Sequence, residues 1–409
     1  MKLRYKILNT VLALVVLGVI ALGITLSYTA DCPPPAALPA GDAMNAVIQR
    51  CYGSPDVLEY TRIAKPVPKD DQVLVRVHIA AANPLDWHYM RGEPYIMRPD
   101  AGIGSPTNPR LGVDFAGTIE AVGKDVRRFK VGDEVFGGGN GSFAEYVVVR
   151  EERNVVPKPA NVTFEEAAAV PIAAITALQA LRDKGQVKAG QKVLINGASG
   201  GVGTYAVQIA KTLDAQVTGV CSTRNVEMVR SLGADRVVDY KQDDFTKGDA
   251  RYDVIVDLIG NHGLLALRRV LEPGGRVVIV GGPEGKWIGP LSGIVQALVV
   301  NPFVDEEFGF MLADMNPKDL AWLGDQLQAG KLRSVIDRRY ELSEVPEALA
   351  YLEEGHARGK VVIDVVEPRQ ATTPEGATPG GAAPASATPG PATPESATPE
   401  SVTAPPPRT

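Results

Sequence analysis

The chain has 409 residues, 45% hydrophobic and 22% charged, with a formal net charge of -6. That length suits two domains at roughly 100–200 residues each, and the composition is that of a globular enzyme. The negative balance argues against nucleic acid as a partner, because phosphates select basic patches.

At the N-terminus, Lys2, Arg4 and Lys6 precede a largely apolar run over residues 7–28. Roughly 20 such residues cross a bilayer core as a helix. The exit Tyr28-Thr29-Ala30 puts a bulky side chain where a signal-cleavage site wants a small one, and Asp31 before Cys32 does not suit a lipoprotein. The expectation is an uncleaved membrane anchor, with a cleaved signal or a buried helix as alternatives. The basic residues predict a cytoplasmic N-terminus and hence a catalytic domain outside the cytoplasm. Pro33, Pro34, Pro35 and Pro39 then make an extended spacer, so that residues 1–43 are anchor and spacer. Cys32, Cys51 and Cys221 are few, widely spaced and odd in number, and indicate neither a disulfide framework nor a Cys-rich zinc site. The histidines, at 78, 88, 262 and 356, lack ligand spacing such as HExxH.

Residues 44–170 read as short strands between turns, with a β-branched strand at 73–79 and glycines at 112, 117, 123, 132 and 137–139. From residue 171 strands alternate with helices: strands at 192–196, 216–220, 252–258 and 276–280, helices at 202–213 and after 223. This alternation means βαβ units and a parallel sheet. Residues 171–309 form this part. A helix from about 319 and strands at 335–340 and 360–366 return, over 310–367, to the first domain. Residues 368–409 are Pro, Ala, Thr, Gly and Ser with almost no large apolar side chain, and are expected to be disordered.

The sharpest motif is Asn196-Gly197-Ala198-Ser199-Gly200-Gly201-Val202-Gly203, between a strand and a helix. Such a turn lets a pyrophosphate rest on the helix N-terminus. No Lys-Ser or Lys-Thr follows, which excludes a nucleotide-triphosphate loop. About 20 residues on, an NAD site would place a carboxylate on the ribose. Here Cys221, Ser222, Thr223 and Arg224 stand instead, and a hydroxyl with a guanidinium suits the 2′-phosphate of NADPH. Arg224 as a merely solvated helix-start residue is the alternative.

These residues, with Asn83-Pro84-Leu85-Asp86, Gly112-Val113-Asp114-Phe115-Ala116-Gly117, Val131-Gly132-Asp133-Glu134-Val135-Phe136 and Phe143-Ala144-Glu145-Tyr146, resemble the medium-chain dehydrogenase/reductase superfamily. The nearest branch is the zinc-free quinone oxidoreductase and zeta-crystallin type with its enoyl-reductase-like domain. The resemblance covers about residues 44–366. It implies a β-rich GroES-like catalytic domain joined to an α/β Rossmann domain, the active site lying in the cleft between them. It further implies that Thr176 lines the nicotinamide half of the cofactor. Ala198, Ser199, Gly200, Gly201, Val202 and Gly203 carry the pyrophosphate turn, and Ser222, Arg224 and Tyr240 surround the 2′-phosphate. Gly260, Asn261, Gly281 and Gly282 flank the nicotinamide riboside. Asn83 sits near the nicotinamide, and Asn83 and Tyr89 are candidate donors to the substrate. Tyr240 and Tyr89 can equally be packing residues. Dimers are usual among similar proteins.

The alcohol dehydrogenase branch has a Cys where Asn83 stands and a His-Glu pair where Val113-Asp114 stand, and its four-cysteine structural-zinc loop is absent from 137–142. The reading is therefore zinc-free, since zinc needs several N or S ligands. The expected reaction is hydride transfer from NADPH to a small apolar electrophile, a quinone, enone or enal. An NAD(P)-dependent alcohol dehydrogenase and a tethered, non-catalytic redox sensor are the competing functions. The uncharged stretch 287–304, with Trp287, Leu291, Ile294, Leu298 and Phe303, reads as a substrate mouth or an oligomer contact.

Overall fold

A computed structural model describes residues 2–35, 41–282, 285–287, 289 and 292–365. The expected disordered tail, Pro39 of the spacer and Leu291 lie outside the described residues.

The apolar runs of the second half build a six-stranded parallel sheet. Its order in space is Arg236–Asp239, Gln216–Cys221, Lys192–Asn196, Tyr252–Asp257, Leu271–Ile279, Glu307–Phe310. In chain order this is 3-2-1-4-5-6, the doubly wound dinucleotide-binding order. Val193, Leu194 and Ile195 are wholly buried, as are Ile255 and Val256 beside them, because helices cover both faces of such a sheet. The helices Pro171–Gln179 and Gly201–Thr212 pack on one face, Leu264, Leu267 and Ala297 on the other.

Strands Ala43–Gln49 and Leu58–Ala64 pair antiparallel as a two-stranded sheet, and the remaining strands form a third, mostly antiparallel one. It runs Ile336–Glu341, Lys360–Asp364, Gln72–Ala82, Asp114–Val122, Glu134–Gly138, Val155–Pro157, with Tyr146–Arg150 also paired to Gln72–Ala82. Lys360–Asp364 lies antiparallel to residues 79–82, so the C-terminal strands return to this β-rich sheet. Val75, Val77, Phe115, Ile119, Val361 and Ile363 fill its core. The β-rich and doubly wound architecture is the one the sequence predicts.

The N-terminal helix spans Lys2–Ser27. Its segment Arg4–Ser27 has mean hydropathy 2.7 and is not buried, which overturns the buried-helix alternative. The helix is long and apolar enough to cross a membrane. Its exit is fastened to the β-rich part: Ala30 N–H donates to Gly104 O at 2.9 Å, and Cys32 is disulfide-bonded to Cys51 with Cα atoms 4.9 Å apart. The bond corrects the expectation drawn from cysteine spacing. Nineteen residues separate the two cysteines, and only the strand Ala43–Gln49, running back toward the helix exit, makes them neighbours. Disulfides persist in oxidising compartments. Alkylation of acid-quenched cells should therefore leave one free thiol per chain in denaturant, Cys221, and three after reduction; three without reduction would refute the pairing.

Candidate active site

The glycine-rich turn leaves strand Lys192–Asn196 and enters helix Gly201–Thr212. Gly197 has φ 90°, which an L side chain rarely adopts. A Cβ on Gly203 would lie 2.1 Å from the Gly197 carbonyl oxygen, so turn and helix–strand contact both require glycine. At Gly200, the helix N-cap, a Cβ would meet only that oxygen, at 3.6 Å. This side is open, and the unpaired N–H groups of the first helical turn suit an anion. Ala198 holds the turn to the sheet by donating its N–H to Val220 O at 2.9 Å, and Val202 begins the helix.

Asn225 ties this turn to the end of strand Gln216–Cys221. Its Nδ2 donates to Ser199 Oγ at 3.0 Å and Ser222 Oγ at 3.2 Å. Its Oδ1 is buried without a partner among the described residues, an acceptor that a ribose hydroxyl or adenine amine would satisfy. The exposed Arg224 donates from Nη2 to His356 O at 2.7 Å. Tyr240 is 49% exposed, its N–H bonded to Cys221 O. Burial, with the Asp239 carboxylate on the neighbouring strand, pushes the Cys221 thiol up to about 11, and Thr223 Oγ1 holds that carboxylate by donating to Asp239 Oδ2 at 2.7 Å. Ser199, Ser222, Arg224 and Tyr240 thus gather at one strand end, with Asn225 as the member the sequence did not reveal.

On the other side of the turn, Asn196 Nδ2 donates to Asp257 Oδ1 at 2.8 Å and Asn261 Oδ1 at 2.9 Å. A Cβ on Gly260 would lie 2.5 Å from Gly282 Cα, and one on Gly281 2.0 Å from Leu258 O. The two loops therefore close against each other, and Asp257, Gly260, Asn261, Gly281 and Gly282 line a cleft there. It opens at the carboxyl ends of the neighbouring strands Tyr252–Asp257 and Leu271–Ile279, the edge of such sheets at which ligands bind.

The third element is a buried polar knot. Lys360 is 3% exposed, and its Nζ donates to Asn83 Oδ1 at 2.5 Å, Asp114 Oδ2 at 3.2 Å and Ala82 O at 3.3 Å. Asn83 Nδ2 donates to Asp114 Oδ2 at 3.0 Å and Ala81 O at 3.3 Å. Asp114 Oδ1 accepts from Ile172 N–H at 3.0 Å, in the first turn of helix Pro171–Gln179. Thr176, one turn on, donates to Ile172 O. Gly359 N–H donates to Ser199 O at 3.0 Å, and a Cβ on Gly201 would touch Lys360 Cδ at 3.3 Å. Asn83 is thus linked to the glycine turn through Lys360.

Asn83, expected as a donor to substrate, is 2% exposed with its amide wholly engaged inward. Tyr89 lies six residues along helix Pro84–Arg91, 38% exposed, its hydroxyl without a hydrogen bond among the described residues. Lys360 and Asp86 were missed as site residues. The available signal was a lysine placed directly before the apolar run Val361-Val362-Ile363 of strand Lys360–Asp364. Trp287 packs edge-on to Tyr95, with ring centroids 5.2 Å apart, and remains half exposed. Among the described residues no three His, Cys, Asp or Glu side chains are grouped to hold a metal ion.

Asp86 accepts from Asn83 N–H at 2.7 Å, yet burial pushes its carboxyl up to about 7. Burial raises Asp114 as well, against the pull of Lys360. The folded state thus holds the Asp86 proton more tightly than the unfolded chain does. This group favours folding below its ordinary value and withdraws that support as pH rises through about 7. Wild-type melting temperature should fall between pH 5 and 8 more steeply than that of Asp86→Asn; equal slopes would refute it. Lys360→Met, which strands the buried Asp114 charge, should lower unfolding free energy by about 3–5 kcal/mol in urea titrations, and adding Asp114→Asn should recover part of that loss.

Comparison with known proteins agrees with this geometry. The family model described as zinc-binding dehydrogenase matches residues 232–363, and that described as alcohol dehydrogenase GroES-like domain matches 69–160. The chain is 33% identical over 340 residues to a chloroplast envelope quinone oxidoreductase homolog of Arabidopsis thaliana, covering 80% of this chain and 99% of the relative. It is 34% identical over 339 residues to the NADPH-dependent alkenal/one oxidoreductase of the same plant, covering 78% and 79%. The solved quinone oxidoreductase of Coxiella burnetii superposes with a TM-score of 0.70 at 30% identity, covering 80% of this chain and all of that one. The chain belongs to the quinone-oxidoreductase branch of the medium-chain dehydrogenase/reductase family and is an NAD(P)H-dependent oxidoreductase.

Proposed function

We propose that this protein is an NADPH-dependent, zinc-independent reductase of quinones or activated alkenes, held at a membrane by its N-terminal helix. The observation that carries the cofactor choice is the set Ser222, Arg224 and Asn225 at the end of strand Gln216–Cys221, with no carboxylate over residues 220–225. In this reading Ser222, Arg224 and Tyr240 bind the 2′-phosphate, and the turn from Ala198 to Gly203 holds the pyrophosphate at the helix N-terminus. Gly260, Asn261, Gly281 and Gly282 flank the reactive end, and Thr176 lines it. Residues 44–170 and 310–367 act as the catalytic domain and 171–309 as the cofactor domain.

When bound, the cofactor supplies a hydride from its nicotinamide C4. The chain's part is to position the acceptor and complete the proton balance: one hydride and one proton convert a quinone to a hydroquinone, or an enone to a ketone. Asn83 is a positioning residue, since its amide faces Lys360 and Asp114. Tyr89, with its hydroxyl free among the described residues, is the proposed donor to the acceptor oxygen. The alcohol dehydrogenase ligand positions fall on Asn83, Val113 and Asp114, and the Lys360 ammonium already lies between Asn83 and Asp114. That donor set holds a cation of its own and favours acceptors polarised without a Lewis acid. The relatives named as quinone and alkenal/one oxidoreductases support this class of acceptor.

The basic residues before the helix and the disulfide after it both favour a non-cytoplasmic catalytic domain, an arrangement that separates it from cytoplasmic NADPH. The decisive experiment is cofactor oxidation by purified full-length protein against quinones, enones, enals and simple ketones, with and without a chelator. NADPH should outperform NADH, with quinones or enones turned over and the chelator without effect. Arg224→Ala should weaken NADPH alone, by the roughly 1.5–3 kcal/mol of a charged hydrogen bond. Tyr89→Phe should lower kcat without altering NADPH affinity. Equal rates with both cofactors, or fast turnover of simple alcohols alone, would overturn the reading.

A further inference from the structure

The uncovered N-terminal helix is not attached by a slack linker. Arg98 is 1% exposed, and three of its four hydrogen bonds go to the helix exit. Nη1 donates to Leu26 O at 3.0 Å and Tyr28 O at 2.6 Å, and Nη2 to Thr29 Oγ1 at 3.1 Å; Nε donates to Gly92 O at 2.8 Å. Removal of the helix would strand a buried guanidinium, which is costly. The helix, the Arg98 clamp and the Cys32–Cys51 bond thus hold the enzyme in one orientation to the helix axis.

Around this exit lies an apolar surface: Tyr28, Ile96, Ile103 and Trp287 are 59%, 47%, 53% and 51% exposed. They are joined to the exit by contact. A Cβ on Gly23 would lie 3.4 Å from the Trp287 ring, and one on Gly104 3.1 Å from the Tyr28 ring. Tyr95 N–H donates to Lys286 O and Ile96 N–H to Trp287 O. Gly23 lies four residues before the helix end at Ser27, about 6 Å along the axis. A spanning helix therefore sets the Trp287 ring inside the bilayer boundary, at the depth that tryptophan favours.

The same two segments are the outer ends of the candidate active site. Helix Pro84–Arg91 begins at Asn83 and ends at Gly92, the carbonyl that Arg98 holds. The cleft residues Gly281 and Gly282 stand six and five residues before Trp287. Gly92, at the end of the helix that starts at Asn83, is thus tied through Arg98 to the helix exit, and Trp287, beyond the cleft residue Gly282, packs beside the helix at Gly23. We propose that this face is seated in lipid and that the acceptor is a bilayer-dissolved quinone or enone, admitted from the membrane rather than from water. The inference rests on the reading of the N-terminal helix as an anchor and deepens the proposed reaction by naming where its substrate resides.

The test uses the full chain in phosphatidylcholine vesicles. Acyl-chain-brominated phosphatidylcholine should quench part of the tryptophan fluorescence, and Trp287→Phe should remove that part while NADPH affinity stays unchanged. Ile96→Ser with Trp287→Ser should raise KM for a decyl-chain quinone about tenfold, as loss of roughly one buried apolar side chain implies, and leave KM for a short water-soluble quinone unchanged. Protein that pellets with vesicles but shows no Trp287 quenching and equal KM changes for both quinones would overturn the lipid-seated face and leave the anchor standing. Protein that does not pellet would overturn both.

Discussion

A lysine ammonium buried among protein groups organises this molecule. Lys360 comes from the last strand, Asn83 from the end of strand Gln72–Ala82, Asp114 from the start of its neighbour, and Ile172 from the helix that begins the cofactor half. Burying a charge is unfavourable unless every partner is present. The cluster therefore tolerates one arrangement of these four segments, and that arrangement carries Gly359 against Ser199 of the glycine turn. The position of the β-rich part relative to the glycine turn is in this sense an electrostatic requirement.

The cofactor cleft depends on a different constraint, the close approach of backbone to backbone. Gly203 admits the Gly197 carbonyl, Gly281 the Leu258 carbonyl, and Gly260 the Gly282 Cα. No side chain fits at these points, so the turn and the two flanking loops reach their places without side-chain packing to direct them. Polar side chains then join the pieces: Asn196 reaches Asp257 and Asn261, and Asn225 joins the two serines. The Oδ1 that Asn225 leaves unpaired is the point at which this joinery is incomplete in the protein alone.

The N-terminal helix extends the same logic outward. A single guanidinium, Arg98, collects carbonyls from the helix exit and from Gly92 beyond the Asn83 helix. One buried cation couples the Asn83 helix to the glycine turn, and a second couples its far end to the N-terminal helix. Two charges that cannot be left unsatisfied define how the helix, the substrate side and the cofactor side face one another.

Much of this was legible in the sequence. Alternating apolar runs and helix patterns determined the parallel sheet, because a strand buried on both faces has to be apolar throughout. The Asn196–Gly203 motif determined the turn, since few residues other than glycine survive such contacts, and the largely apolar run over residues 7–28 determined a long exposed helix. Spacing said nothing of Cys32 with Cys51, of Arg98 with the helix exit, or of Lys360 with Asn83 and Asp114, separated by 277 and 246 positions. Nor did it reveal that Asn83 turns inward, away from any substrate. Those pairings were decided only by the tertiary structure, because a buried polar group must find a partner wherever the fold supplies one, and local sequence carries no record of which distant strand or helix end will pass within 3 Å.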